Sequence, residues 1–181
     1  DGWGLMLMDR VFRQQSLRHP GPLDRLAFIG ERAMGALRFE PVREIDAAEP
    51  DWNLLALATE SARAVAGEAD SVLRELALTG GSPQGARPKA VVQFDPVGGD
   101  ISTRSDAPGA PWLVKFPAQG EHKEVCAIEQ FYSELGRDCG LEVPESRYFD
   151  LGPKFAAFGI ARFDRTDNMR IPVHSLAGLL Q

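Results

Sequence analysis

Two side chains are placed to do chemistry together. Lys115 stands in Trp112-Leu113-Val114-Lys115-Phe116, an otherwise apolar run on the same strand face as Leu113, where an uncompensated ammonium is expensive to desolvate and calls for an anion. Glu129 lies four residues after Val125 and three before Tyr132, beside a helical apolar stripe, which turns it toward a sheet rather than water. A lysine held by such a carboxylate can grip a polyphosphate. The glycines Gly80, Gly81 and Gly85 let the backbone approach anionic oxygens and take φ values that other residues avoid. Each feature also has an ordinary reading: a turn after a helix, an edge-strand lysine snorkelling to solvent, and a solvated glutamate. Ser82 is the hydroxyl of the glycine stretch and equally suits a plain turn. The stretch is not a Walker loop, because Lys89 is not followed by Ser or Thr.

The elements that must position these groups follow from periodicity. Helical spacing is expected over 3–15, 23–29 and 51–66, the last with Asp51 near its N-terminus and Gly67 closing it, and again over 70–78. Gly35–Phe39 reads as a brief strand. Strands are expected at Lys89–Phe94 and Trp112–Phe116, with the Asp-, Gly-, Ser- and Pro-rich 95–111 as an exposed hairpin loop between them. The stripe Val125, Ile128, Tyr132, Leu135 and Cys139 predicts a helix over 121–139 with its apolar face inward and Gly140 as its C-cap. Strands at Ser146–Leu151 and Phe155–Phe163 complete the series. Glycine loop, strand, hairpin loop, strand, helix, strand, strand is the layout of a protein-kinase small lobe. The fold class expected is α+β: an antiparallel sheet plus one long helix, preceded by a mainly helical segment.

A net charge of −6 argues against an extended phosphate-binding surface, so direct nucleic-acid binding is not expected. Cys126 and Cys139 sit about 20 Å apart along one expected helix and cannot pair, which fits free thiols in a reducing cytoplasm. His19, His122 and His174 are scattered, so no metal site is expected from them. No apolar run reaches the length of a bilayer span, and no membrane association is expected. Asp164 and Asp167 follow the last strand without the His-Arg-Asp pattern and downstream Asn of a kinase catalytic loop, so a salt-bridged strand end is expected there, not a catalytic base.

Four ordered segments, Gly80-Gly81-Ser82-Pro83-Gln84-Gly85-Ala86-Arg87-Pro88-Lys89, Trp112–Pro117, Gly140–Pro144 and Arg162-Phe163-Asp164-Arg165, resemble the HipA family of serine/threonine kinase toxins. The opening Asp1-Gly2-Trp3-Gly4 and the stretch from Leu23 to Leu37 resemble that family's N-terminal region. The resemblance implies three parts: residues 1–67 from the N-terminal region, 68–165 as the nucleotide-binding lobe, and 166–181 as the start of a further region. It implies ATP contacts from Gly81, Gly85, Ala86 and Lys115, with Glu129 as the lysine's partner and the backbone around Ala161 and Phe163 reading adenine. Ser82 becomes the autophosphorylated serine. The cofactors implied are ATP and Mg²⁺, and the partners a DNA-binding antitoxin and a protein substrate such as an aminoacyl-tRNA synthetase. Both ends read as cut, and the catalytic and metal-binding aspartates and the large catalytic lobe are expected beyond them, leaving this piece without phosphoryl transfer of its own. The competing expectation is a non-catalytic, kinase-derived module that binds an antitoxin or a nucleotide. An unrelated sugar- or lipid-kinase piece explains the glycine loop but not the Gly140–Pro144 and Arg162–Arg165 segments.

Overall fold

The computed structural model describes residues 2–15, 19–43, 51–68, 73–80, 83, 85–166 and 169–180. In chain order these form α1 (Gly2–Gln14), α2 (Pro22–Ile29), a 3₁₀ turn (Gly30–Arg32), α3 (Leu54–Ala66), α4 (Leu73–Gly80), β1 (Lys89–Phe94), β2 (Ile101–Ser102), β3 (Ala110–Lys115), α5 (Val125–Asp138), β4 (Ser146–Asp150), β5 (Ala156–Ala161), β6 (Arg165–Thr166), β7 (Met169–Arg170) and α6 (Leu176–Leu179). The first five strands make one antiparallel sheet in the order β2-β1-β3-β5-β4, and β6 and β7 pair separately. The α+β arrangement expected from the sequence, an antiparallel sheet plus one long helix, is the one adopted, with that helix following the third strand rather than the second because β2 joins the sheet.

Strand alternation sorts the sheet into two faces. Ala90, Val92, Phe94, Trp112, Val114 and Ala157 are buried with Trp3, Leu7, Phe12, Phe28, Leu57 and Leu76 of the helices, so a single cluster draws residues from both sides of position 67. Gly159 shares that face, where a Cβ would come within 2.7 Å of the Phe149 ring. On the opposite face lie Lys89, Val91, Leu113, Lys115 and Phe158, with Lys89 directly opposite Lys115 and Lys115 opposite Phe158. That face carries α5.

Four local expectations are corrected. The helix N-cap is Asn53, whose Oδ1 accepts from the Ala56 N–H at 2.9 Å; Asp51 instead accepts from the Ser102 hydroxyl and the Thr103 N–H, tying the helix entry to β2. Residues 35–39 form no strand, because the carbonyls of Ala33, Gly35 and Leu37 accept from Arg165 and Arg170 rather than from a ladder. The 95–111 connection is not wholly loop, since β2 within it pairs with the outer edge of β1. Finally, the stripe on α5 faces outward: Ile128, Tyr132 and Leu135 are 53%, 66% and 42% exposed, and Cys139 is exposed too. Toward the sheet the helix turns Cys126, Glu129, Gln130 and Arg137, whose polar groups meet Lys115, the Ser146 carbonyl, the Pro144 carbonyl and the Ser146 hydroxyl. Apolar contact at the start of the helix, where Cys126 and Val125 pack with Ala156 and Phe158, and the polar edge of the sheet further along together set the rotation of α5.

The two thiols are both free, and only Cys126 is buried. Burial, with Glu129 close by, pushes the Cys126 thiol up to about 11. It is therefore protonated at pH 8, and thiolate is the species that reacts. Iodoacetamide at pH 8 is expected to alkylate Cys139 and spare Cys126 in the folded chain, with both modified in denaturant. Intact-mass measurement reads the count, and two fast adducts on native protein would contradict the burial.

Candidate functional site

At the end of β3, Lys115 extends from the α5 face and donates to Glu129 Oε2 at 2.7 Å. Its side chain is 32% exposed and that of Glu129 24%, so the pair is half-buried and still reachable from solvent. The Lys115 ammonium also lies 5.4 Å from the centre of the Phe158 ring, a further stabilisation of its charge. The two sequence-predicted partners meet. Arg87, given no role by the sequence, completes the arrangement by donating to Glu129 Oε1 at 2.5 Å and to Glu121 Oε1 at 2.7 Å. Burial works against the Arg87 cation, but the carboxylates of Glu121 and Glu129 more than offset it and raise its pKa. The backbone N–H of Ala118, then the Arg87 cation, hold the Glu121 pKa below its usual range.

The glycine segment has two halves. Gly80 closes α4 against β1, where a Cβ would collide with the Lys89 carbonyl and lie 2.7 Å from Trp3 Nε1. That same indole nitrogen donates to the Lys89 carbonyl at 2.9 Å, and the Trp3 N–H donates to the Gly85 carbonyl at 3.2 Å. Gly80 therefore serves packing rather than ligand approach. Gly85 has φ +114 and is exposed with Ala86, while Pro83 is buried. Gly81 and Ser82 lie outside the described residues. Gly80→Ala is expected to cost about 1–3 kcal/mol by overpacking a closed contact. A urea midpoint within error of the parent chain's would contradict that close approach.

Ala161 and Phe163 lie at the other end of the strands. Ala161 pairs with Trp112, three positions from Lys115 and so roughly 10 Å along the sheet. The Ala161 N–H donates to the Glu145 carbonyl at 2.8 Å, so a base read at this stretch would meet the Ala161 carbonyl, not its amide. Phe163 is 60% exposed. Asp164 is fully buried; it accepts from Arg162 Nη2 at 2.6 Å, Arg165 Nη1 at 2.9 Å and the Gly35 N–H at 2.6 Å. This is the salt-bridged strand end expected from the sequence, while Asp167 lies outside the described residues.

A cavity of about 690 Å³ is walled by Val91, Gln93, Pro111 and Arg162 together with Thr79 and Arg104. It borders the Ala161 end and reaches neither Lys115 nor Glu129. No group of three His, Cys, Asp or Glu side chains that could hold a metal ion occurs among the described residues.

The HipA-like C-terminal domain model matches residues 81–181, more than half of the chain and all of the sheet and α5. The chain belongs to the HipA-like C-terminal domain family. No curated protein and no solved structure matches it. Within the HipA-like match lie Arg87, Lys89, Lys115, Glu121 and Glu129, and its N-terminal limit falls beside Gly80, where α4 ends. Trp3 reaches into the matched region from outside it, through its bonds to Gly85 and Lys89. No helix among the described residues of this HipA-like chain is long and apolar enough to cross a membrane.

Proposed function

We propose that this HipA-like chain is the ATP-binding part of a serine/threonine protein kinase toxin. The observation that carries the reading is the 2.7 Å ion pair between Lys115 on the sheet and Glu129 on α5, with the positive-φ Gly85 nearby in sequence register with β1. Glu129 orients the lysine so that its ammonium meets the α- and β-phosphates, and the glycine segment, Gly81 to Ala86, covers them with backbone N–H groups. The Ala161 carbonyl and the backbone of Phe163 read the adenine. ATP supplies the transferable phosphoryl group. No three His, Cys, Asp or Glu side chains come together among the described residues as a metal site of their own, so Mg²⁺ would be held chiefly by the nucleotide's phosphates.

In this reading Ser82 is the autophosphorylation site, and its phosphate adds roughly −1.5 to −2 charges to a segment that otherwise receives phosphates, which is self-inhibiting. The substrate is a translation-related protein such as an aminoacyl-tRNA synthetase, the partner a DNA-binding antitoxin, and the compartment the cytoplasm. Calorimetric titration of the chain with a non-hydrolysable ATP analogue tests the core of the proposal. One-site binding is expected, with AMP much weaker because the contacts are to phosphates. Absence of any heat with the analogue at saturating concentration would remove the reading.

A further inference from the structure

From the grouping of arginines at the far end of the sheet, we infer that the cavity between α4, β1 and the β6–β7 pair is a second ligand site of this chain, one that takes a phosphate monoester carried on a small organic body. The inference is independent of the ATP-binding reading. The cavity of about 690 Å³ has room for more than a bare anion and falls within the roughly 300–1,000 Å³ of small-ligand pockets. Of its lining residues five are arginines and one, Glu31, is acidic, although the whole chain carries a net charge of −6. Val91 and Pro111 give it an apolar wall. The Arg162 N–H donates to the Pro111 carbonyl, and Pro111 stands four residues before Lys115 on the same strand, so this end of the sheet lies roughly 13 Å from the lysine that pairs with Glu129.

Two of the arginines, Arg32 and Arg104, bond to the Phe28 carbonyl and to Asp106, and the other three define the anion position. Arg165 and Arg170 are direct cross-strand partners in the β6–β7 pair, so two like charges stand opposite each other, which costs stability unless an anion lies between them. Asp164 does not serve both: it accepts from Arg162 Nε and Nη2 and from Arg165 Nη1. Arg170 bonds instead to the carbonyls of Leu37 and Glu31, which carry no charge to match its own. Burial first, then the charge of Arg162, lowers the Arg165 pKa; Arg170 adds to the effect and Asp164 offsets it only in part. A phosphate brought against these groups meets planar forks that bind its oxygens in pairs, and its charge falls between Arg165 and Arg170. A phosphate monoester suits three guanidinium groups better than a carboxylate does, because it brings roughly −1.5 to −2 charges and three acceptor oxygens.

The experiment titrates the whole chain with ribose 5-phosphate and with a short phosphoserine peptide, each against its unphosphorylated counterpart at fixed ionic strength. Calorimetry reads affinity, and the arginine Nε–H signals in nitrogen-15 NMR read the place. One-site binding is expected, tighter by roughly tenfold or more than with the unphosphorylated compound. The signals of Arg162, Arg165 and Arg170 should shift, and that of the exposed Arg38 should not. The tighter probe tells whether the phosphate comes on a free small molecule or on a protein side chain, and either supports the site. Arg170→Gln, which can still donate to a carbonyl, is expected to weaken binding by roughly fivefold or more, while Arg38→Gln leaves it unchanged. Where Arg170→Gln is unfolded by circular dichroism, the shifts in the parent chain decide. A saturating non-hydrolysable ATP analogue, and Lys115→Met, are both expected to leave probe affinity within about twofold, because the two sites are separate. Absence of phosphate-dependent binding, shifts confined to arginines remote from the cavity, or unchanged affinity in folded Arg170→Gln overturns the inference. Competition between the analogue and the probe overturns it too, since the cavity would then be part of the nucleotide site. If the parent chain binds the probe but no nucleotide, the ATP reading falls and this one stands.

Discussion

Lys115→Met is expected to weaken binding of an ATP analogue by roughly 10- to 100-fold, the loss of a charge-assisted contact of about 1.5–3 kcal/mol, while leaving the fold intact. The fold survives because Lys115 is 32% exposed and because Glu129 keeps its second cation, Arg87, at 2.5 Å when the lysine goes. No buried charge is left bare, so the urea midpoint should stay close to that of the parent chain. The reciprocal change behaves differently: Glu129→Gln frees Lys115 and removes one of the two anchors of Arg87, so a smaller loss of affinity comes with some loss of stability. Equal affinity of the parent and Lys115→Met, measured by calorimetry on folded protein, would mean that phosphates do not dock at this ion pair.

Asp164→Ala is expected to lower stability by about 3–5 kcal/mol, the loss found when one member of a buried charge cluster is deleted. The carboxylate is fully buried, and its two guanidinium partners, Arg162 and Arg165, are only 6% and 18% exposed, so both would be left without their counter-charge. The Gly35 N–H would lose its acceptor as well, and with it the tie between the 33–37 segment and the end of the sheet. Although burial disfavours the ionised form, the bonds from Arg162 and Gly35 outweigh it and hold the Asp164 pKa below the ordinary carboxylate range. A group whose folded pKa is depressed stabilises the fold above its unfolded value and loses that contribution as pH falls through the folded one. The advantage of the parent over Asp164→Ala should therefore be full above about pH 4 and shrink at lower pH. Urea unfolding at several pH values measures it, and a difference below about 1 kcal/mol at neutral pH would contradict a structural role for this cluster.

The sheet was largely legible because alternation and chain breaks are local properties. Lys89–Phe94 was bounded correctly by the Pro88 before it and the Asp-Pro after it, and the strands around Trp112, Ser146 and Ala156 were placed to within a few residues. The meeting of Lys115 with Glu129 was legible for a related reason: a charged residue inside a strand and another on a helix must each find an opposite charge once both are removed from water. Arg87 and Glu121 were not: Arg87 sits in an irregular segment, and the helix expected from 121 begins only at Val125, which leaves Glu121 in the irregular stretch ahead of it. The rotation of α5 was misread from its own stripe, because hydrophobic spacing tells that a helix has two faces but not which neighbour each face will find. Gln130 and Arg137 turn inward only because the strand-edge carbonyls and hydroxyl near Ser146 are there to receive them.

The sequence alone therefore determined the main helices, the strands β1, β3, β4 and β5, the family resemblance and the lysine–glutamate pair, all of which depend on residue type and short spacing. Only the tertiary structure decided that Trp3 bonds to the Lys89 carbonyl across 86 residues, that Lys89 lies under Gly85, and that Asp164 gathers two arginines and a distant amide. These are contacts between parts of the chain with no regular separation. They exist because buried polar groups must be satisfied by whatever the packed chain brings within reach.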